Sequence, residues 1–183
     1  MSRELVEQAM RGNHDAFAVL AGRSLGRLVG TAGLIVRDRG YAEDAAQDAL
    51  VRAWRDLPTL RDPDHFDAWL YRLLVHACQD QLRRRRHERT EVAILPEHGT
   101  QQEDQTEHIA ERDELAWSLG RLTDEQRTIV VLRYYLGLPY PEIAEATGLP
   151  IGTVKSRLSR SVRYLEAALA ADARITAPGR GPV

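Results

Sequence analysis

The chain of 183 residues has few of the features that mark secreted, membrane-spanning or catalytic proteins. Its single cysteine, Cys78, excludes an internal disulfide and fits a reducing compartment. The first residues lack the apolar stretch of a secretory signal, and no uninterrupted apolar run has the length of a bilayer span. We therefore expect a cytoplasmic protein without membrane insertion. The histidines show no metal-ligand spacing with one another or with Cys78, so we expect no metal and no other cofactor.

The sequence motifs of common enzymes are also missing. There is no glycine-rich phosphate loop, no nucleophile elbow and no zinc-binding pair of histidines. The acidic residues within 42–48 could belong to a metal-dependent nuclease. However, the sequence shows no acidic residue elsewhere in the chain that would complete such a metal site with them. We therefore expect that the chain is not an enzyme.

What the chain does contain favours helices. Aromatic residues make up only 6% of the sequence, whereas alanine, leucine, arginine and glutamate are abundant. Apolar residues recur at helical spacing through residues 3–86 and again from residue 109 onward. The fold class that we predict is all-α, with two small helical domains joined by a flexible acidic linker.

Charge is strongly segregated along the chain, although the net charge is only −2. Residues 83–89 are rich in arginine, residues 91–114 are almost entirely acidic among their charged positions, and residues 153–163 are basic without any acid. Two basic stretches separated by an acidic one indicate two surfaces for a polyanion. The local field, and not the net charge, decides where phosphate binds.

The pattern predicts the following boundaries. The first domain covers residues 1–87, the linker residues 88–108, the second domain residues 109–172 and a disordered tail residues 173–183. The linker is assigned because residues 88–108 have few large apolar side chains.

Three segments of the first domain carry candidate surface residues. A helix over residues 42–55 places Asp44, Gln47 and Asp48 on one face and small or apolar residues on the other. Residues 57–65, with two prolines, form a loop. A long helix then buries Phe66 and the apolar residues that follow it. Its outer face consists of Arg72, His76, Gln79, Arg83 and Arg86.

The second domain contains the most informative motif. Thr123 and Gln126 have the spacing of a capping box, and a short helix ends at Gly148 before a longer helix begins near Ile151. Two helices joined by such a glycine turn form a helix-turn-helix, whose second helix enters the DNA major groove.

The second helix of this motif has a distinct apolar side and a distinct basic side. Its apolar side, which we expect to pack on the preceding helices, consists of Ile151, Val154, Leu158, Val162, Leu165 and Leu169. The candidate DNA-binding residues on the other side and the flanks are Thr153, Lys155, Ser156, Arg157, Arg160 and Arg163. The alternative is an ordinary solvated face, which the lack of acids disfavours.

These residues resemble a known family. The segments Glu142-Ile143-Ala144 and Gly152-Thr153-Val154-Lys155-Ser156-Arg157-Leu158 resemble region four of extracytoplasmic-function (ECF) sigma factors of bacterial RNA polymerase. The segments Ala42-Glu43-Asp44-Ala45-Ala46-Gln47-Asp48 and Trp69-Leu70-Tyr71-Arg72 resemble region two. A helix-turn-helix alone is a weak signal, but both blocks in this order are specific.

The resemblance implies a role for each surface. Asp44, Gln47 and Asp48 would bind the clamp of the polymerase largest subunit, although Asp44 could instead be an acid that satisfies a helix dipole. The outer face of the 66–86 helix would hold the minus-ten element, and a nontemplate base would flip into a pocket near the 57–65 loop. His76 departs from the family, in which asparagine is frequent, so promoter preference and pH dependence could differ.

The resemblance also implies partners. The helix-turn-helix would read the minus-thirty-five element, the flap region of core RNA polymerase would be a further contact, and an anti-sigma factor would inhibit the chain. The main alternative function is a stand-alone repressor or activator, which would dimerise and bind a symmetric DNA site by itself.

Overall fold

The computed structural model describes residues 2–92 and 117–176, and every regular element in these ranges is helical, as predicted. The helices of the N-terminal domain are α1 (Arg3–Met10), α2 (His14–Val36), α3 (Arg39–Asp56) and α4 (Phe66–Val92). Two 3₁₀ turns, Leu57–Thr59 and Pro63–His65, connect α3 to α4 where we predicted a loop.

A row of small side chains forms the centre of this domain. The buried face of α3 is made almost entirely of alanine: Ala42, Ala45, Ala46, Ala49 and Ala53. Such small side chains allow α2 and α4 to pack closely on either side of α3. Larger residues of the neighbouring helices, among them Leu20, Leu28, Phe66 and Leu74, fill the remaining core.

The start of α3 differs from our prediction. The helix begins at Arg39 and not at residue 42, because the Asp38 side chain accepts a hydrogen bond from the Tyr41 backbone N–H at 3.1 Å. This is an N-cap, which satisfies a backbone donor that the first turn leaves unpaired.

In the C-terminal domain, the described part starts with helical residues 117–120. It continues with α5 (Asp124–Val130), a π-helical turn (Val131–Tyr135), α6 (Tyr140–Thr147) and α7 (Ile151–Thr176). The predicted capping box is confirmed. The Thr123 hydroxyl accepts from the Gln126 N–H at 3.3 Å, and the Gln126 side chain accepts from the Thr123 N–H at 3.0 Å.

Burial along α7 follows the prediction only in part. Val154 and Leu158 are buried against the preceding helices, whereas Ile151 and Leu169 are 43% and 39% exposed. These two lie at either end of the stretch that α5 and α6 cover, so the predicted packing was wrong for them.

Both long helices run past the boundaries that we predicted. α4 continues to Val92, beyond residue 87, and α7 continues to Thr176, beyond residue 172. The rest of the predicted linker, the segment near residue 109 and residues 177–183 of the predicted tail lie outside the described residues.

The two domains are in contact, which the sequence did not predict. α4 packs on α6, while α2 packs on α5 and on the π-helical turn. The buried apolar side chains of both domains belong to one hydrophobic cluster. The C-terminal domain therefore lies against the helix whose outer face we predicted to bind DNA.

One helix has the length and composition of a membrane span. This is α2, but Leu20, Leu28, Ala32 and Ile35 on it are buried in the N-terminal core. A buried helix of a folded domain passes the same test, so α2 is weak support for a membrane segment.

Candidate nucleic-acid interface

The helix-turn-helix has the geometry that the sequence predicts. α6 ends at Gly148, which adopts the left-handed conformation with φ of 69°. A residue without Cβ adopts this conformation at little cost, so the chain can turn sharply into α7. Pro139 is the N-cap residue of α6 and makes no side-chain hydrogen bond, because its side chain has no polar atom. Ile143 of α6 and Val154 of α7 are fully buried, which fixes the two helices against each other.

The structure places the predicted residues of α7 on one accessible surface. Lys155, Ser156, Arg160 and Arg163 are exposed, and Thr153 and Arg157 are partly buried. Hydrogen bonds along the helix order this surface: the Ser156 hydroxyl donates to the Thr153 carbonyl at 3.0 Å, and Arg160 Nε donates to the Ser156 carbonyl at 3.2 Å. The surface can therefore present both hydroxyl and guanidinium groups to a groove.

Arg157 differs from the other cations because it has a carboxylate partner. Its guanidinium forms a salt bridge with Glu125 of α5. This pairing orients Arg157 toward the preceding helix and lowers the positive charge that it contributes to the surface. Arg157 is thus less suited to DNA than Arg160 in the conformation observed.

Tyr140 is a residue of this surface that sequence reasoning missed. Its ring lies 5.4 Å from Lys155 Nζ and 5.1 Å from Arg133 Cζ, both within the range of cation–π attraction. The contact ties the flexible Lys155 side chain to the start of α6. Helical periodicity could not reveal it, because the two residues belong to different helices.

The outer face of α4 carries the second candidate DNA surface. His76, Arg83 and Arg86 are exposed, and Arg72 and Gln79 are partly buried. Arg83 forms a salt bridge with Asp80, which in turn accepts from Arg52 of α3 at 2.7 Å. These hydrogen bonds lower the pKa of Asp80, although partial burial opposes the effect.

The surroundings of His76 shift its protonation equilibrium. Desolvation lowers the pKa of His76, and the nearby positive charges of Arg72 and Arg52 lower it further. Asp80 acts in the opposite direction but does not outweigh them. The shift favours the neutral imidazole, so His76 adds less positive charge to this surface than an unperturbed histidine would.

The turns before α4 are held by a network of charged side chains. Asp62 accepts from the Asp64 backbone N–H at 3.0 Å and contacts His65 Nδ1 at 3.0 Å. Arg3 of α1 binds Asp64 at 2.5 Å, a partner from the other end of the domain that sequence reasoning missed. Beside this network lies a cavity of about 430 Å³, lined by residues that include Leu60 and Trp69.

Arg72 and Arg86 of the α4 face have partners in the other domain. Arg72 forms a salt bridge with Glu145 of α6, and Arg86 forms one with Asp124 at 2.5 Å. Glu145 also lines the cavity beside the loop. No local pattern in the sequence links these residues, so the pairs could not be predicted from it.

The predicted polymerase-binding residues lie on the exposed side of α3. Asp44 and Gln47 are exposed, and Asp48 is partly buried. Val51, one turn beyond Gln47, is 67% exposed and adds an apolar group to the same side. Because the helix begins at Arg39, its first turn has no acid and Asp44 lies outside it. The explanation of Asp44 as a helix-dipole acid is therefore wrong, since that effect is confined to the first turn.

Cys78 lies in the core of the N-terminal domain. Its side chain is fully buried, and burial raises the pKa of the thiol to about 12. The thiolate is the reactive form of cysteine, so Cys78 is inert in the folded chain. Within residues 2–92 and 117–176, no group of three or more histidine, cysteine or acidic side chains is arranged to hold a metal ion.

Comparison with known proteins identifies both domains. The family model of sigma-70 region 2 matches residues 20–88, and that of sigma-70 region 4 matches residues 112–165. The RNA polymerase sigma-H factor of Pseudomonas aeruginosa is 30% identical, over 91% of this chain and 93% of that protein. The ECF RNA polymerase sigma factor SigK of a Mycobacterium species (strain KMS) is also 30% identical, over 88% of this chain and 87% of that protein.

Solved structures agree with these relatives. CnrH in complex with the cytosolic domain of CnrY has a TM-score of 0.67 and 32% identity, over 93% of this chain and 97% of that chain. The sigma factor RpoE in complex with the anti-sigma factor NepR from Bartonella quintana has a TM-score of 0.68 and 27% identity, over 85% and 98%. Similarity over nearly the whole length of these proteins establishes that the chain belongs to the ECF sigma factors of RNA polymerase, which direct promoter recognition and transcription initiation.

Proposed function

We propose that the two domains of this sigma factor read the two elements of a bacterial promoter. The observation that carries this proposal is the exposed, acid-free face of α7 that follows the left-handed turn at Gly148. A second helix presented in this way fits the major groove, where arginine can donate two hydrogen bonds to guanine. We assign Thr153, Ser156 and Arg160 to base edges of the minus-thirty-five element, and the flanking cations to phosphates.

The α4 face and the preceding turns would hold the minus-ten element. Separated strands need cations along the backbone and pockets for unstacked bases. Arg72, Arg83 and Arg86 supply the cations, and the cavity beside Leu60 and Trp69 is a candidate pocket for a nontemplate base. Phe66 and Trp69 are buried by more than nine-tenths, which supports a packing role for both rings in place of stacking on DNA.

The exposed side of α3 would bind core polymerase. Asp44, Gln47 and Asp48 form an acidic and amide surface, with Val51 as an apolar neighbour, and this combination suits a basic amphipathic helix of the clamp.

The flap region would contact the C-terminal domain. The relative crystallised with NepR suggests that an anti-sigma factor also binds this chain. We further propose that the protein acts in the cytoplasm and leaves all catalysis to the polymerase.

Transcription in vitro tests the proposal. Purified chain is combined with core polymerase and genomic DNA of the source bacterium, and the products are mapped. We expect promoter-specific transcripts that core polymerase alone does not make. A chain that instead dimerises and binds a symmetric DNA site without polymerase would be a stand-alone regulator, and absence of any specific transcript would contradict the proposal.

A matched pair of variants tests the α3 surface separately. The double variant Asp44→Lys with Asp48→Lys reverses two charges on the proposed polymerase face. Glu4→Lys with Asp15→Lys makes the same net change at exposed positions on α1 and α2. Only the first variant should lose co-purification with core polymerase, and equal retention by both would reject this surface.

A further inference from the structure

The first helix of the chain contacts the turns that precede α4. α1 lies against both 3₁₀ turns between α3 and α4. The second turn, together with the two residues before it, forms the segment 61–65, which we call the pocket segment. Arg61, Asp62 and His65 of this segment line the cavity that we propose as the pocket for a nontemplate base. The position of this wall of the cavity therefore depends on what holds the pocket segment in place.

Apolar packing holds the pocket segment only weakly. Leu60, directly before it, is buried, whereas none of residues 61–65 is buried. Hydrogen bonds within the segment close the turn, because Asp62 accepts from the Asp64 backbone N–H at 3.0 Å and contacts His65 Nδ1 at 3.0 Å. These contacts fix the shape of the turn but not its position on the domain.

An ion pair with α1 supplies a contact from outside the segment. Arg3 Nη1 lies 2.5 Å from Asp64 Oδ2 and 3.8 Å from Asp62 Oδ1, so one guanidinium reaches both acids. Arg3 Nε donates at 2.9 Å to Glu7, one turn further along α1, which orients the long side chain. Val6 of the same helix is fully buried, so the helix that carries Arg3 is itself held by the core.

The charge of Arg3 also suits a wall that faces DNA. The backbone hydrogen bond from Asp64 lowers the pKa of Asp62, and the contacts with His65 and Arg3 lower it further, although burial opposes them. Asp62 and Asp64 thus place two carboxylates on a short turn, where they repel each other and any nearby phosphate. A guanidinium between them reduces both repulsions.

We propose that Arg3 is a positioning residue for base recognition, which fixes the pocket segment so that its side chains can surround an unstacked minus-ten base. The proposal rests on the proposed function of the cavity. Arg3 itself does not line the cavity. The proposal adds that α1, which contains none of the residues assigned to DNA, contributes to promoter specificity through the contact of Arg3 with Asp64.

The exposure of the pair sets the size of the expected effect. The side chains of Arg3 and Asp64 are 55% and 58% exposed, and an exposed pair changes an equilibrium by a factor of roughly 1.5 to 5. Affinity for a correctly placed base should fall by the fraction by which the segment leaves its binding position. Salt screens exposed pairs, so the effect should shrink as ionic strength rises.

The test measures how strongly holoenzyme depends on each base of the minus-ten element. Holoenzyme is titrated with nontemplate-strand oligonucleotides of a promoter mapped in the transcription experiment, in which each base in turn is replaced by an abasic site. The base whose removal weakens binding most is the one that the pocket holds. Arg3→Glu should reduce this loss by about two- to fivefold and leave the losses at other positions unchanged. Adding Asp64→Arg to this variant reverses the pair and should restore the native value.

Arg11→Glu is the matched control, because Arg11 is exposed directly after α1 and its replacement makes the same change of charge. This variant should keep the native dependence on every base. The proposal is overturned if Arg3→Glu also keeps it, or if Arg3→Glu weakens binding to all oligonucleotides equally. If no single base matters to the native holoenzyme, the proposed pocket itself is rejected, and the role of Arg3 with it.

Discussion

Arg160 provides a quantitative test of how the recognition helix reads DNA. Its side chain is exposed, and in the described structure it donates only to the Ser156 carbonyl on its own helix. Replacement by alanine should therefore change the stability of the fold by no more than about 0.5 kcal/mol. Any larger effect on promoter binding must come from the DNA contact itself.

The expected size of that effect depends on what Arg160 touches. A bidentate contact to guanine is worth about 1–3 kcal/mol, which corresponds to a loss of roughly 5- to 150-fold at the cognate promoter. A phosphate contact would weaken binding to all sequences and reduce the slope of log affinity against log salt by about 0.9. Arg157→Ala should have a smaller effect than Arg160→Ala, because Glu125 already pairs with Arg157.

The assay measures binding of holoenzyme to a cognate promoter and to one with a scrambled minus-thirty-five element, over a range of salt concentrations. Arg121→Ala is the control, since it removes one exposed charge from the same domain but lies outside α7. Discrimination between the promoters should fall for Arg160→Ala alone. If charge reversal at both Arg160 and Arg163 left promoter affinity and initiation at the level of the control, the assignment of α7 to DNA would be refuted.

Three further predictions concern stability and reactivity. Gly148→Ala should destabilise the chain by about 1–2 kcal/mol in urea unfolding because its φ is positive, whereas Gly152→Ala, helical and open to solvent, should not destabilise it. The free energy of unfolding should fall as pH drops below about 6.5, because the pKa of His76 is lower in the folded chain than in the unfolded chain. The variant His76→Gln should lack this pH-dependent loss of stability. Cys78 should react with iodoacetamide at pH 8 only after unfolding, and rapid labelling of native protein would contradict its burial.

The local features of the fold were predictable because they depend on residues close in sequence. The capping box at Thr123, the turn at Gly148 and the orientation of α4 each follow from spacing within one or two helical turns. The start of α3 was missed because Gly40, a poor helix former, follows the capping Asp38 and hides the helix beginning.

The contacts between domains could not be predicted because nothing local distinguishes their members. Arg127 is one of many arginines in the sequence, and an arginine on an amphipathic helix is normally assigned to solvent. Its burial becomes intelligible only when the carbonyl end of α2, far away in the chain, supplies an acceptor.

This difference between local and distant contacts bears on how the protein works. The residues that we propose to read the promoter lie within single helices, so each proposed DNA surface is specified by its own helix and requires no residue of the other domain. The ion pairs that join the α4 face to the C-terminal domain depend on Asp124 and Glu145, which serve neither helix formation in α4 nor its packing in the N-terminal core. Substitution of Asp124 or Glu145 would therefore alter the contact between the domains without altering the side chains of the DNA surface that we propose on α4.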